Sequence, residues 1–263
     1  MLKIFIDTPD DKEIRKCLSM NVGDQWDIKG ITTNPTLIKK LGVSNYSTYI
    51  KKISQMFPDF PTSFEVVSDN EIEMIDQAKK IYNLCYNKQN CYVKIPIVNS
   101  LGEFNFHAIS ETIKSGIKVN VTAIFTEEQV AGLIAYMQTD NSLKDADGTI
   151  LSVFVGRIND TGVPALDILI PVAEVLYRAD VRKKFQILWA SSRAVNDIYD
   201  AEAYAEENMY VPNENVCDII TITPDIFKKF KSLMNKDLNE FSRETSKMFV
   251  DDAKSSGLSL WND

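Results

Sequence analysis

One lysine, two carboxylates and a pair of arginines hold most of the chemistry this sequence can offer. Lys94 stands in Tyr92-Val93-Lys94-Ile95-Pro96, an otherwise apolar run. A charge within a strand buried on both faces is costly unless it is paired or used. Two readings follow. Lys94 either escapes to solvent or pairs structurally with Glu65, or else desolvation favours its free amine, the form that attacks carbonyls to make a Schiff base. Asp7 and Glu65 fall near the ends of similar runs. Each could move protons for such a step, or each could simply cap a helix or pair with a lysine. Arg157, with Ser191 and Arg193, has the makeup of an anion clamp, forks of N–H donors plus a hydroxyl. Surface salt bridges are the plainer alternative for the two arginines.

Further polar residues lie near the ends of apolar runs: Thr33 and Asn34, Asn120 and Thr122, and Ser152. His107 is the only histidine and reads as a structural or surface residue. Cys17, Cys85, Cys91 and Cys217 form no C-x-x-C pair and match no zinc spacing. Buried free thiols are the expectation, with a Cys85–Cys91 disulfide as the sharper alternative. Too few ligands remain for a zinc-dependent aldolase.

These residues need elements to hold them. Eight short β-branched and apolar runs recur: Leu2–Asp7, Ile28–Thr33, Thr62–Val67, Tyr92–Ile97, Val119–Phe125, Ile150–Gly156, Gln186–Ser191 and Asp218–Thr223. Each has the length of a buried parallel strand. Amphipathic stretches lie between them, including Asn70–Cys85, Thr126–Gln138, Pro164–Ala179 and Arg193–Asn208. In the first, Ile72, Ile75, Ala78, Ile81 and Leu84, with Met74, mark one apolar stripe. Thr126-Glu127-Glu128 and Thr223-Pro224-Asp225 have the composition of helix starts. Asp237–Ala253 reads as a last helix, with Phe241, Met248 and Phe249 available for packing. Strand–helix alternation implies a parallel sheet with right-handed crossovers, and eight units is the count of a (β/α)8 TIM barrel. The expectation is one α/β domain over residues 1–263 with a C-terminal helix. A doubly wound open sheet is the runner-up, but it lacks the G-x-G-x-x-G turn of a dinucleotide site.

A net charge of −8 over 263 residues argues against nucleic acid and anionic membrane as partners. The Lys39-Lys40, Lys51-Lys52, Lys79-Lys80 and Arg182-Lys183-Lys184 clusters read as solvated helix faces. No apolar run approaches the ~18 residues of a membrane span, and the N-terminus turns acidic too soon for a signal peptide. A cytoplasmic protein is expected.

The ordered blocks resemble the transaldolase family, including its small subfamily with fructose-6-phosphate aldolase. They are Phe5-Ile6-Asp7-Thr8, Gly30-Ile31-Thr32-Thr33-Asn34-Pro35-Thr36-Leu37, Ser63-Phe64-Glu65-Val66, Val93-Lys94-Ile95-Pro96, Asn120-Val121-Thr122-Ala123, Ser152-Val153-Phe154-Val155-Gly156-Arg157-Ile158 and Trp189-Ala190-Ser191-Ser192-Arg193. The resemblance implies Lys94 as the Schiff-base lysine and Asp7 as the acid–base group of carbon–carbon cleavage. It implies Glu65 and Thr122 as the pair that positions a water. Asn34 and Asn120 would hold donor hydroxyls, with Thr33 and Ser152 lining the site, and Arg157, Ser191 and Arg193 would bind phosphate. The implied reaction moves a dihydroxyacetone unit from a ketose phosphate to an aldose acceptor, with the imine as electron sink and no metal or organic cofactor needed. Release of free dihydroxyacetone, a specialised sugar-phosphate reaction in glycan assembly, and a silent sugar-phosphate-binding protein are the alternatives. Glu65 and Phe154 resemble the transaldolases, where the aldolase has glutamine and a tyrosine. Ser192 and Trp189 depart from the family pattern, and the segment 199–216, with Glu202, Glu206, Glu207 and Glu214, is longer and more acidic than usual. The family's small members form rings, so a homo-oligomer is implied, with Tyr210, Phe241, Phe249 and Trp261 available either for an interface or for the core.

Overall fold

The computed structural model describes residues 1–205 and 215–258. Two compact units make up the chain, Met1–Phe227 and Lys228–Asp263. In the first, eight strands close into a parallel barrel in sequence order: β1 (Lys3–Asp7), β2 (Ile28–Thr32), β3 (Thr62–Glu65), β4 (Cys91–Pro96), β5 (Lys118–Ile124), β6 (Thr149–Val153), β7 (Phe185–Trp189) and β8 (Ile219–Ile222). Pairing of β1 with β8 completes the circle, which an open doubly wound sheet does not do. The helices are α1 (Asp11–Leu18), α2 (Pro35–Lys40), α3 (Tyr46–Met56), α4 (Glu71–Leu84), α5 (Phe106–Lys114), α6 (Glu127–Thr139), α7 (Val155–Asn159), α8 (Leu166–Arg178), α9 (Asn196–Ala205), α10 (Pro224–Leu233) and α11 (Leu238–Ser255). Within the first unit, strands and helices alternate as the (β/α)8 barrel that the sequence predicts.

Side chains fill the barrel, as they must in a barrel of eight strands. Phe5, Tyr92, Ile150, Leu188, Ala190 and Ile219 form a buried cluster with Phe154 against it. Gly30 makes room for the Phe5 ring, since a Cβ there would lie 2.6 Å from it. Cap signals act where the sequence places them. Thr126 and Gln129 form a reciprocal capping box on α6, and Pro224 opens α10.

Three expectations need correction. In α4 the buried seam is Met74, Ala78 and Ile81, while Ile72 is 70% exposed. A stripe stepped only by three residues drifts about 60° per step around a helix of 3.6 residues per turn, so Ile72 has rotated out to solvent. Arg182 is buried rather than part of a solvated face; it donates to the carbonyls of Phe185 and Asn215 and pairs with Asp218 at 2.8 Å. The expectation of four free thiols fails for Cys85 and Cys91, which are joined in a disulfide. A 3₁₀ turn at Lys88–Asn90 folds the chain back, leaving their Cα atoms 6.2 Å apart. Cys17 and Cys217 are buried outside any disulfide.

No residue of α11 is buried, and Phe241, Met248 and Phe249 are exposed. Tyr210 and Trp261 lie outside the described residues, as do Glu206, Glu207 and Glu214. His107 is exposed, with its Nδ1 3.4 Å from the Tyr136 hydroxyl. No described helix is long and apolar enough to cross a membrane.

Candidate active site

Strand register sets the site. Asp7 pairs across to Thr32, Glu65 to Lys94, Lys94 to Asn120, and Pro96 to Thr122. Side chains alternate along a strand, so register alone puts Lys94 beside Glu65 on one side and Asn120 on the other. The carboxyl ends of these strands open into a cavity of about 520 Å³. Its walls include Asp7, Asn34, Glu65, Lys94, Thr122, Ser152, Phe154, Arg157, Ser191 and Arg193, ten of the twelve residues singled out by sequence.

Lys94 lines the cavity and is only 7% exposed. Its Nζ donates to the Thr33 carbonyl at 3.1 Å and stands 3.4 Å from Glu65 Oε2. The structural pairing with Glu65 and a chemical role therefore share one geometry. Burial pushes the carboxyl of Glu65 up from its ordinary value; the Lys94 charge and hydrogen bond partly oppose this, and the Asp7 charge adds to it. Burial likewise pushes Asp7 up, against the Lys94 charge and a hydrogen bond from Thr32. Thr122 Oγ1 is buried without a hydrogen-bond partner among the described residues. A buried hydroxyl left unpaired in a cavity wall is available to a ligand or to water.

Asn34 does two jobs. Its Oδ1 caps α2 by accepting from the Leu37 N–H at 3.0 Å, which fixes the amide so that Nδ2 faces Asp7 Oδ2 at 3.5 Å. The other two expected residues lie behind the wall. Thr33 is fully buried, and its hydroxyl donates to the Ser63 carbonyl; only its backbone oxygen meets Lys94. Asn120 is also fully buried, accepting from Ser152 at 2.7 Å and donating to Ser63 at 3.1 Å. It supports Ser152 from beneath. Residues that sequence reasoning missed are Thr32, Lys40 and Thr221, which line the cavity. Thr221 carried a signal: it is the one polar residue within Ile219–Ile222.

Across the cavity, Arg157 lies over the Phe154 ring, 5.4 Å from its centroid. Ser191 takes a left-handed backbone with φ 67°, and Arg193 forks onto Asp160 at 2.7 and 3.1 Å. Asp197 holds this loop through the Arg193 and Ala194 N–H groups. The two departures in the loop are accounted for. Trp189 is buried and stacks on Tyr204 at 6.2 Å, outside the cavity wall. Ser192 is buried and donates to the Thr221 carbonyl at 3.0 Å, tying this loop to β8.

Fold and site define a TIM-barrel protein whose ionisable cluster sits at the carboxyl mouth, where barrels carry their chemistry. The Transaldolase/Fructose-6-phosphate aldolase family model matches residues 4–260. A protein of Clostridium botulinum (strain Loch Maree / Type A3), named "Probable transaldolase", is 32% identical over 200 residues, 76% of this chain and 80% of its own. A "Probable transaldolase" of Bdellovibrio bacteriovorus is 32% identical over 251 residues, 95% of this chain and 97% of its own. The chain belongs to the transaldolase/fructose-6-phosphate aldolase family. Among solved structures, 3-keto-L-gulonate-6-phosphate decarboxylase from Vibrio cholerae O1 aligns with a TM-score of 0.52 at 8% identity, covering 90% of this chain and 97% of that one. That likeness concerns the barrel alone.

Proposed function

We propose that the protein is a Schiff-base transaldolase that moves a dihydroxyacetone unit from a ketose phosphate to an aldose acceptor. The observation that carries this reading is Lys94 lining the cavity, 3.4 Å from Glu65, with Asp7 in the same wall. The Lys94 amine attacks the ketone carbon of the donor, and loss of water leaves an imine. Glu65, the nearest carboxylate, and the unpaired Thr122 hydroxyl are placed to hold the water of that exchange. Asp7 takes the proton of the hydroxyl on the carbon being released. As that O–H becomes a carbonyl, the carbon–carbon bond breaks and its electrons pass to the imine, giving an enamine and a free aldose phosphate. Attack of the enamine on a second aldehyde, with the proton returned, re-forms an imine, and water adding back at its carbon releases the new ketose and the free Lys94 amine.

Arg157, Ser191 and Arg193 suit a phosphate at the far end of the donor. Asp160 already engages Arg193, so an incoming phosphate competes with it or shares the guanidinium. Phe154 supports transfer over simple release. It lines the cavity without a hydroxyl to protonate the enamine, which then persists for an acceptor.

The test is borohydride trapping with fructose 6-phosphate, read by intact mass and peptide mapping. A three-carbon adduct on Lys94, absent in Lys94→Met, is expected. No adduct with fructose 6-phosphate, with other ketose phosphates or with dihydroxyacetone would overturn the reading. Turnover that needs no acceptor aldehyde would replace the transaldolase with an aldolase.

A further inference from the structure

Asp7 has two carboxylate oxygens in different settings. Oδ1 accepts from the Thr32 hydroxyl at 2.8 Å. Thr32 Oγ1 is in turn 2.6 Å from Thr221 Oγ1. A hydroxyl has a single proton to give. With Asp7 ionised, Thr32 spends that proton on the carboxylate, so the short contact to Thr221 has one polarity, with Thr221 donating. Oδ2 has only the Asn34 amide, at 3.5 Å, the long limit of a hydrogen bond. Both threonines are buried, yet both border the cavity.

We propose that Thr221 and Thr32 form a directed hydroxyl relay that holds Asp7 by Oδ1 and leaves Oδ2 as the oxygen that exchanges the substrate proton. The inference rests on the acid–base role given to Asp7 above. Thr221 and Thr32 are positioning residues: they act through Asp7. The relay joins β8 and β2 to β1, so the carboxylate is held by the two strands that flank its own. It also reaches the anion-binding side, because Ser192 donates to the Thr221 carbonyl from the loop that carries Ser191 and Arg193.

The substrate hydroxyl proton moves to Oδ2, its O–H electrons form the new carbonyl, and the carbon–carbon electrons pass to the imine nitrogen of Lys94. Oδ1 keeps its donor throughout. Protonation of Asp7 on Oδ2 breaks no protein hydrogen bond other than the long one from Asn34, whereas protonation on Oδ1 displaces Thr32. The charged groups facing Asp7 are Lys94 from β4 and Glu65 from β3, with Lys40, Arg157 and Arg193 elsewhere in the same wall.

The experiment follows the Asp7 carboxyl by ¹³C NMR titration in ligand-free protein, assigned with Asp7→Asn, for wild type, Thr32→Val, Thr221→Val and Thr221→Ser. Thermal melting shows that each variant is folded. Valine keeps the shape of threonine and removes the donor. Both valine variants are expected to titrate at higher pH than wild type, and Thr221→Ser is expected to return to the wild-type curve. In the cleavage assay Thr221→Val loses about tenfold in kcat with KM little changed, the upper range for one neutral hydrogen bond. A Thr221→Val titration that overlays wild type overturns the relay, because the outer hydroxyl is then not part of it. So does a shift that serine fails to reverse. A wild-type protein that yields no borohydride adduct, while the titrations move as expected, leaves the relay standing and removes the Schiff-base reading instead.

Discussion

At the scale of single residues, Asp7 and Glu65 are buried carboxylates beside one lysine, and burial is the largest influence on each. Both are pushed upward from the ordinary carboxylate range. In the proposed reaction cleavage needs Asp7 ionised, so its rate is lost as pH falls through the folded-state value, and that limb lies above the ordinary one. A pH profile of kcat/KM for cleavage checks the sign. Asp7→Asn is expected to cut cleavage by roughly 10²–10⁴, the usual range for a general acid–base, while an intact-ketose adduct still accumulates on Lys94. Loss of the adduct together with cleavage would mean that Asp7 serves imine formation instead. Asp7, Glu65 and Lys94 were readable from sequence because a charge in an apolar strand needs a reason. Thr32, Ser63 and Thr221 were not. Threonine is common in strands for its shape alone, and only the register shows that Thr32 and Thr221 touch.

At the scale of elements, the placement of Ser191 and Arg193, proposed above to bind phosphate, depends on how closely α7 meets the loop after β7. A Cβ on Gly156 would lie 1.7 Å from the Ser191 carbonyl oxygen, a backbone atom that cannot swing away. Ser191 is already left-handed at φ 67°, so little freedom remains to absorb a push. Gly156→Ala is therefore expected to displace the Ser191–Arg193 loop. A misplacement near 1 Å costs on the order of 10²-fold, here in kcat/KM for a phosphorylated donor. Donors without phosphate should be nearly unaffected, and an equal loss for both would show that the loop does not bind phosphate. Element order was readable from sequence. All eight runs became strands, with ends shifted by at most three residues, because β-branched content and turn boundaries are local signals. Facing was harder. Spacing by threes along α4 chose Ile72, whereas the helix buries Met74, Ala78 and Ile81. The rotation of a helix is set by the elements it packs on, here α3, β4 and α5, and not by its own spacing alone.

At the scale of the whole barrel, closure is uneven. The β7–β8 seam pairs only Leu188 with Ile219 and Trp189 with Ile220, against five pairs between β6 and β7. Below the last strand pair, at the amino end of the barrel, side chains continue the seam. Asp218 Oδ2 accepts from the Ile187 N–H at 2.7 Å and from Arg182 at 2.8 Å. Arg182 also holds the Asn215 carbonyl with two N–H groups and the Phe185 carbonyl with a third. An unclosed seam would expose two strand edges, so this clamp bears on the entire sheet. Arg182→Met preserves much of the apolar stem and removes every donor. It leaves the Asp218 carboxylate and two carbonyls without their partner in a largely buried position. Breaking a buried pair in this way costs roughly 3–5 kcal/mol, which at about 2–4 °C per kcal/mol for a domain of this size lowers Tm by about 6–20 °C. Amide exchange in β8 should rise more than in β4 or β5, since the seam opens first. Below the new Tm, trapping on Lys94 should persist, because Arg182 sits at the amino end of β7 and Lys94 near the carboxyl end of β4. A Tm within about 2 °C of wild type, too small for the loss of one buried pair, would assign closure to the backbone pairs alone.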